Sequence, residues 1–134
     1  MATRSVLFVC THNAGRSQMA AGFLTHLSGG SLEVASAGTA PADALNPAVI
    51  AAMLEEGIDL RDEEPKAVGT ESVQQADLVI TLGADLRALT GTRFQDWDLP
   101  ESAGLRLEAV RPIRDAIKAR VLVLLDELNA PAAA

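Results

Sequence analysis

The run SVLFV, Ser5 to Val9, passing directly into Cys10 and the residues THNAGRS, constrains this chain more than any other stretch. A continuous β-rich apolar run is the pattern of a strand buried on both faces in a parallel sheet. Ser17 to Leu27 then places Met19, Phe23 and Leu27 at i, i+4 and i+8, the spacing of a helix with one buried face. Gly29-Gly30 stops that helix. Leu32 to Ala37 alternates as a second strand, and Asn46-Pro47 opens a helix with a capping residue and a proline at its first position. Ala48, Ala51, Ala52, Leu54 and Ile58 are expected on its apolar side, with Gly57 ending it. Thr70 is the expected N-cap of a short helix through Gln75, and Ala76 to Leu82 the next strand. The last helix is expected from about Arg111 to Leu128, with Pro112 near its start and a buried stripe of Ile113, Ile117, Val121, Leu124 and Leu128. Strands alternating with helices imply an α/β fold of three layers, α/β/α, around a small central parallel sheet. Ligands of such sheets bind beyond the carboxyl ends of the strands, which is where Cys10 falls.

A chain of 134 residues is long enough for one core and too short for two, so residues 1–134 are expected to form one domain. NAPAAA, 129–134, reads as a frayed tail. The net charge of −7, with Lys66 and Lys118 the only lysines, argues against a nucleic-acid binder, which needs clustered cations. The acidic stretch EEGIDLRDEE reads as a solvated helix end and loop. No apolar run approaches the roughly 20 residues of a membrane span, and MATRS lacks a signal peptide's apolar region. The expectation is a cytoplasmic protein with no membrane association, working as a monomer or weak dimer. A single cysteine excludes an internal disulfide and a Cys-rich zinc site. No metal site is expected from Cys10, His12 and His26 alone.

The loop CTHNAGRS carries the chemistry. A loop that ends at a helix N-terminus presents unpaired N–H groups, which together with the helix dipole attract an anion. Thr11, His12, Asn13, Ala14, Gly15, Arg16 and Ser17 are therefore the candidate oxyanion-binding residues. Ala14 and Gly15 are small enough to let the backbone curl around a tetrahedral oxyanion. Arg16 adds a planar cation that grips two oxygens at once, and Ser17 can offer a hydroxyl to the sulfur. Helix N-termini and nearby cations lower a thiol's pKa from about 8.5 to roughly 3.5–7.5, which makes a cysteine placed there a nucleophile. The loop has neither the Gly-Lys-Ser/Thr ending of a nucleotide P-loop nor a Rossmann fingerprint.

Cys-x5-Arg-Ser after the first strand resembles the signature of the low-molecular-weight tyrosine phosphatase fold. Within it, VLFVCTHNAGRSQMA is similar to the arsenate reductases built on that fold, as are SAGTAPADALNPAVIAAMLEEGIDL, ADLVITLG, DWDLP and AVRPIRDAI in order. The resemblance covers nearly the whole chain. It implies arsenate as substrate, with phosphate or sulfate as analogues, and attack by the Cys10 thiolate on arsenic held by the loop and Arg16. Thioredoxin-linked members carry two further cysteines after the ADLVITL strand, whereas GADLRALTGTRF, Gly83 to Phe94, holds none. The resemblance then implies a low-molecular-weight thiol as co-substrate (mycothiol, bacillithiol or glutathione), a glutaredoxin- or mycoredoxin-like partner, and no bound cofactor. The family's general acid is an Asp before Pro. In DWDLPESAG the matching pair is Glu101-Ser102, which makes Glu101 the candidate acid, with Asp96, Asp98 and water as alternatives. Asn13 matches a residue that holds the loop's shape, and His12 either donates to the oxyanion or caps the turn. His26 is read as a surface residue and Trp97 as packing. The family's potassium-binding glutamate is Ala21 here, so no metal is carried over. The competing readings are a tyrosine phosphatase of the same fold and a non-catalytic oxyanion-binding module.

Overall fold

A computed structural model describes residues 4–83 and 93–129. Its elements run β1 (Ser5–Cys10), α1 (Arg16–Ser28), β2 (Glu33–Gly38), α2 (Pro47–Leu54), α3 (Thr70–Gln75), β3 (Leu78–Thr81), β4 (Arg93–Asp96) and α4 (Leu107–Asn129). The strands form one parallel sheet in the order β2-β1-β3-β4, which places β1 at its centre. This is the three-layer α/β/α arrangement expected from the alternation of strands and helices.

The period of two along β1 divides the core. Val6, Phe8 and Cys10 join α1, α2 and α4 in the larger cluster, while Leu7 and Val9 join Val73 and Ala76 on the α3 side. Phe8, Met19, Phe23, Met53 and Ile117 are fully buried in the larger cluster. Truncating one of the aromatics to alanine is expected to cost about 3–5 kcal/mol. Ion pairs clamp α4 to the end of α2. Arg111 and Arg114 both reach Glu55 at 2.6 Å, Arg114 also donates to the Ala52 carbonyl at 2.9 Å, and Lys118 reaches Glu56 at 2.7 Å. Among the described residues no helix is long and apolar enough to cross a membrane.

Several boundaries differ from the sequence reading. On α2 the buried residues are Val49, Ala52 and Met53; Leu54 is exposed, and Ile58 lies past the helix end, buried from the following segment. Asn46 caps α2 as expected, accepting from the Ala48 N–H at 3.0 Å. Gly69, not Thr70, is the N-cap of α3, since its extended backbone turns its carbonyl to the Val73 N–H. α4 begins at Leu107, so Pro112 is inside the helix rather than near its first residue. A proline there removes only the N–H directed at Glu108, in the exposed first turn. β4, with the sequence RFQD, had no counterpart in the sequence reading. Asn129 belongs to α4 rather than to a tail, and 130–134 lie outside the described residues. The cysteine-free stretch after β3 lies mostly outside them as well.

Candidate active site

The loop from Cys10 to Gly15 is shaped by where its carbonyls go. Those of Cys10, Thr11, His12 and Ala14 accept from the N–H groups of Thr39, Ala40, Ala42 and Asn46 at 3.1, 2.8, 3.0 and 3.1 Å. With the carbonyls committed to the 39–46 segment, the N–H groups of Thr11, His12, Ala14, Gly15 and Arg16 meet no acceptor among the described residues. Gly15 is the N-cap of α1 and has no side chain to satisfy the helix's first N–H groups. Free donors and the positive end of α1 thus converge beside the end of β1, an arrangement that attracts an oxyanion. Gly38 makes the close approach possible, because a Cβ there would stand 2.7 Å from the Thr11 carbonyl oxygen.

Two donors reach the sulfur of Cys10. The Asn13 N–H lies 3.2 Å from Sγ and the Ser17 Oγ 2.9 Å from it. Asn13 Nδ2 donates to that same Oγ at 2.7 Å, so the serine accepts from Asn13 and its own proton is available to the sulfur. Asn13 itself is held in the left-handed region, φ 52°. Its Oδ1 accepts from the Lys66 N–H at 2.8 Å and from Gln18 Nε2 at 3.2 Å, and Gln18 also reaches the Glu64 carbonyl at 3.3 Å. The chain of bonds from 64–66 through Asn13 and Ser17 to Cys10 is partly buried at its outer end, buried from Asn13 inward, and fixes the thiol's surroundings. In the sequence Gln18 stands out only as part of the reductase-like continuation after Ser17, and neither it nor the 64–66 segment is marked as part of the site. Their link to Asn13 spans 53 residues in the case of Lys66 and has no local signal.

The buried Arg16 guanidinium donates from Nη2 to Glu101 Oε2 at 2.7 Å and from Nη1 to the Leu99 carbonyl at 3.2 Å. Its Nε is buried without a partner among the described residues. Glu101 Oε1 accepts the Ser102 and Ala103 N–H groups at 2.8 and 3.1 Å. The structure therefore brings Glu101 onto Arg16. Ser102 is buried, its Oγ has no partner among the described residues, and it packs directly on Gly15. Asp96 instead accepts the Thr81 hydroxyl at 2.6 Å, and Asp98 borders a surface cleft with Ala116, Ala119 and Arg120 on α4. The His12 side chain makes no hydrogen bond among the described residues, and His26 is exposed. Trp97 packs against Phe8 at 5.6 Å and lies beneath Arg120 at 5.3 Å. Among the described residues no three His, Cys, Asp or Glu side chains gather as a metal site would require.

The family model described as low molecular weight phosphotyrosine protein phosphatase matches residues 5–133. A protein of Halobacterium salinarum named putative arsenate reductase is 39% identical over 129 residues, covering 91% of this chain and 91% of that protein. A glutaredoxin arsenate reductase of Synechocystis sp. is 34% identical over 131 residues, covering 94% of this chain and 99% of its own. A solved structure described as an arsenate reductase in the phosphate binding state aligns with a TM-score of 0.85 at 34% identity, covering 94% of this chain and 99% of that one.

Proposed function

This chain belongs to the low molecular weight phosphotyrosine protein phosphatase family, and from that premise we propose that it is an arsenate reductase whose second thiol comes from outside. The observation that carries the reading is the loop closed around the only cysteine, whose N–H groups are mostly unpaired among the described residues, with Arg16 at its end. The names of the relatives supply the substrate.

In this mechanism the Cys10 thiolate attacks the arsenic of arsenate while the loop N–H groups and Arg16 hold the other oxygens. A sulfur–arsenic bond forms, an arsenic–oxygen bond breaks, and the oxygen leaves as water on taking a proton. Glu101, the acid in contact with Arg16, delivers that proton, which its carboxylate first takes up from water once arsenate has displaced it from Arg16; Asp96 and Asp98 face other partners. An external thiolate then attacks the Cys10 sulfur. The new disulfide takes the place of the sulfur–arsenic bond, whose electron pair stays on arsenic, so arsenic(V) becomes arsenic(III) and two sulfurs are oxidised. A glutaredoxin-like dithiol reduces the mixed disulfide and restores Cys10. Its involvement is supported by the single cysteine and by the glutaredoxin in the Synechocystis relative's name.

The test is arsenite formation from arsenate in the presence of mycothiol, bacillithiol or glutathione, each with its matching glutaredoxin-like reductant. One of the thiols supports turnover, and Cys10→Ser abolishes it. Absence of arsenite with all three, together with brisk hydrolysis of phosphotyrosine peptides, overturns the proposal in favour of a phosphatase.

A further inference from the structure

The geometry points to a second role for Glu101: its carboxylate competes with the bound oxyanion for Arg16, and so sets how tightly the site holds any oxyanion. The inference rests on the oxyanion reading of the loop and not on reduction.

Arg16 has five N–H donors in a rigid planar fork, and a tetrahedral oxyanion is best gripped along one edge, by Nε and the adjacent Nη. Nε is the buried donor with no partner among the described residues, so that edge is the one available to a ligand. Its second nitrogen is Nη2, the atom that already donates to Glu101 at 2.7 Å. The guanidinium has little room to shift away. A Cβ on Gly83 would lie 2.5 Å from Nη1, and Nη1 itself donates to Leu99. An oxyanion gripped by Nε and Nη2 therefore shares one nitrogen with the carboxylate. Two anionic oxygens, each about 3 Å from the same nitrogen, stand close enough to repel strongly. Oxyanion binding weakens the Arg16–Glu101 bond.

The acid does not drift off when that bond loosens. Oε1 stays on the Ser102 and Ala103 N–H groups, and Ser102 is packed on Gly15. Glu101 thus remains beside the oxyanion with Oε2 released, which couples binding of the anion to exposure of the carboxylate that the proposed mechanism uses. The same competition favours release of product. Arsenous acid is uncharged near neutral pH and competes poorly for Arg16, so Glu101 recovers it.

The probe is inorganic phosphate, titrated calorimetrically into wild type, Glu101→Gln and Glu101→Asp. The Glu101 side chain is 44% exposed. The gain on removing its charge is accordingly that of a solvent-screened pair, up to about fivefold tighter phosphate binding in Glu101→Gln. The gap narrows as salt is raised from about 0.01 M to 1 M, because screening shortens from about 30 Å to 3 Å. Glu101→Asp, which keeps the charge, stays near wild type or between the two. In turnover, Glu101→Gln lowers KM while also lowering kcat, a split that a purely structural role does not produce. Phosphate binding that is unchanged or weaker in Glu101→Gln, at wild-type melting temperature, overturns the inference. Should that variant fail to fold, Glu101→Ala is judged by the same outcomes. No phosphate binding even by wild type sinks the oxyanion reading itself, whereas binding without arsenite formation leaves this inference standing.

Discussion

Gly15→Ala tests how the segment carrying Glu101 is seated on the loop. A Cβ built on Gly15 would lie 2.0 Å from Ser102 Oγ, 3.3 Å from Ser102 Cβ and 3.5 Å from Val49 Cγ2. The first distance is impossible without movement, and Ser102 is only 1% exposed, so its hydroxyl has no solvent to turn into. Overpacking of this kind costs about 1–3 kcal/mol. In a Ser102→Ala background the nearest contact becomes the 3.3 Å one, which yields by a few tenths of an ångström, so the same change is expected to cost under about 1 kcal/mol. Ser102→Ala alone is neutral or slightly stabilising, because the Oγ it removes is buried without a partner. The lower unfolded-state entropy of alanine relative to glycine enters both backgrounds equally and cancels in the cycle. Urea unfolding of the four proteins, at matched m values, gives the coupling. A coupling of about 1–2 kcal/mol is expected, and additivity within about 0.5 kcal/mol refutes direct packing of Ser102 on Gly15.

Asn13→Ala removes a side chain with three hydrogen bonds, two of them buried and one partly buried, from a position at φ 52°, at an expected cost of about 2–4 kcal/mol by urea unfolding. Asn13→Gly, free of the backbone penalty, recovers about 1 kcal/mol of that loss. Gly83→Ala, at φ 82° and against the Arg16 guanidinium, is expected to weaken phosphate binding at least tenfold, read by calorimetry. Glu55 is held near pKa 2, down from 4.5, by its hydrogen bonds from Arg111 and then Arg114. A carboxylate depressed in the folded state adds stability that is fully present above about pH 4.5 and lost as the pH falls toward 2. Glu55→Gln is therefore expected to flatten the acid side of the melting-temperature profile in that window while leaving phosphate affinity unchanged.

The centre of the molecule was legible because its signals are local. SVLFV is apolar throughout, which suits a strand with a neighbour on each side, and the spacing from Cys10 to Arg16 and Ser17 fits a single strand-to-helix loop. β4 was not legible for the opposite reason. RFQD is four residues long and mostly polar, and among the described residues it pairs only with β3, so no alternation had room to develop. Pro112 reads as a start signal, yet α4 begins five residues earlier and the carbonyl the proline leaves free belongs to Glu108, an exposed residue. Thr70 had the right chemistry for a cap, but the extended backbone at Gly69 set the boundary. Within the site, the sequence supplied Cys10, Arg16, Ser17 and Glu101 as separate candidates. What it lacked was their company. The Arg16–Glu101 contact spans 85 residues and the Asn13–Lys66 contact 53, separations that only the folded sheet closes. Gln18 sits in the first turn of α1, where it looks like an ordinary helix former until Asn13 is seen against it.

The central claim is that Cys10 performs the first half of a reduction that an outside sulfur completes. The most direct measurement is a single turnover in which the protein, arsenate and one equivalent of the small thiol are mixed without a glutaredoxin-like reductant. Arsenite is quantified and the intact protein weighed. The account predicts one arsenite per protein and a mass increase equal to one thiol in disulfide linkage at Cys10, with neither in Cys10→Ser. Arsenite formed without a thiol adduct on Cys10, or an adduct formed equally without arsenate, contradicts it.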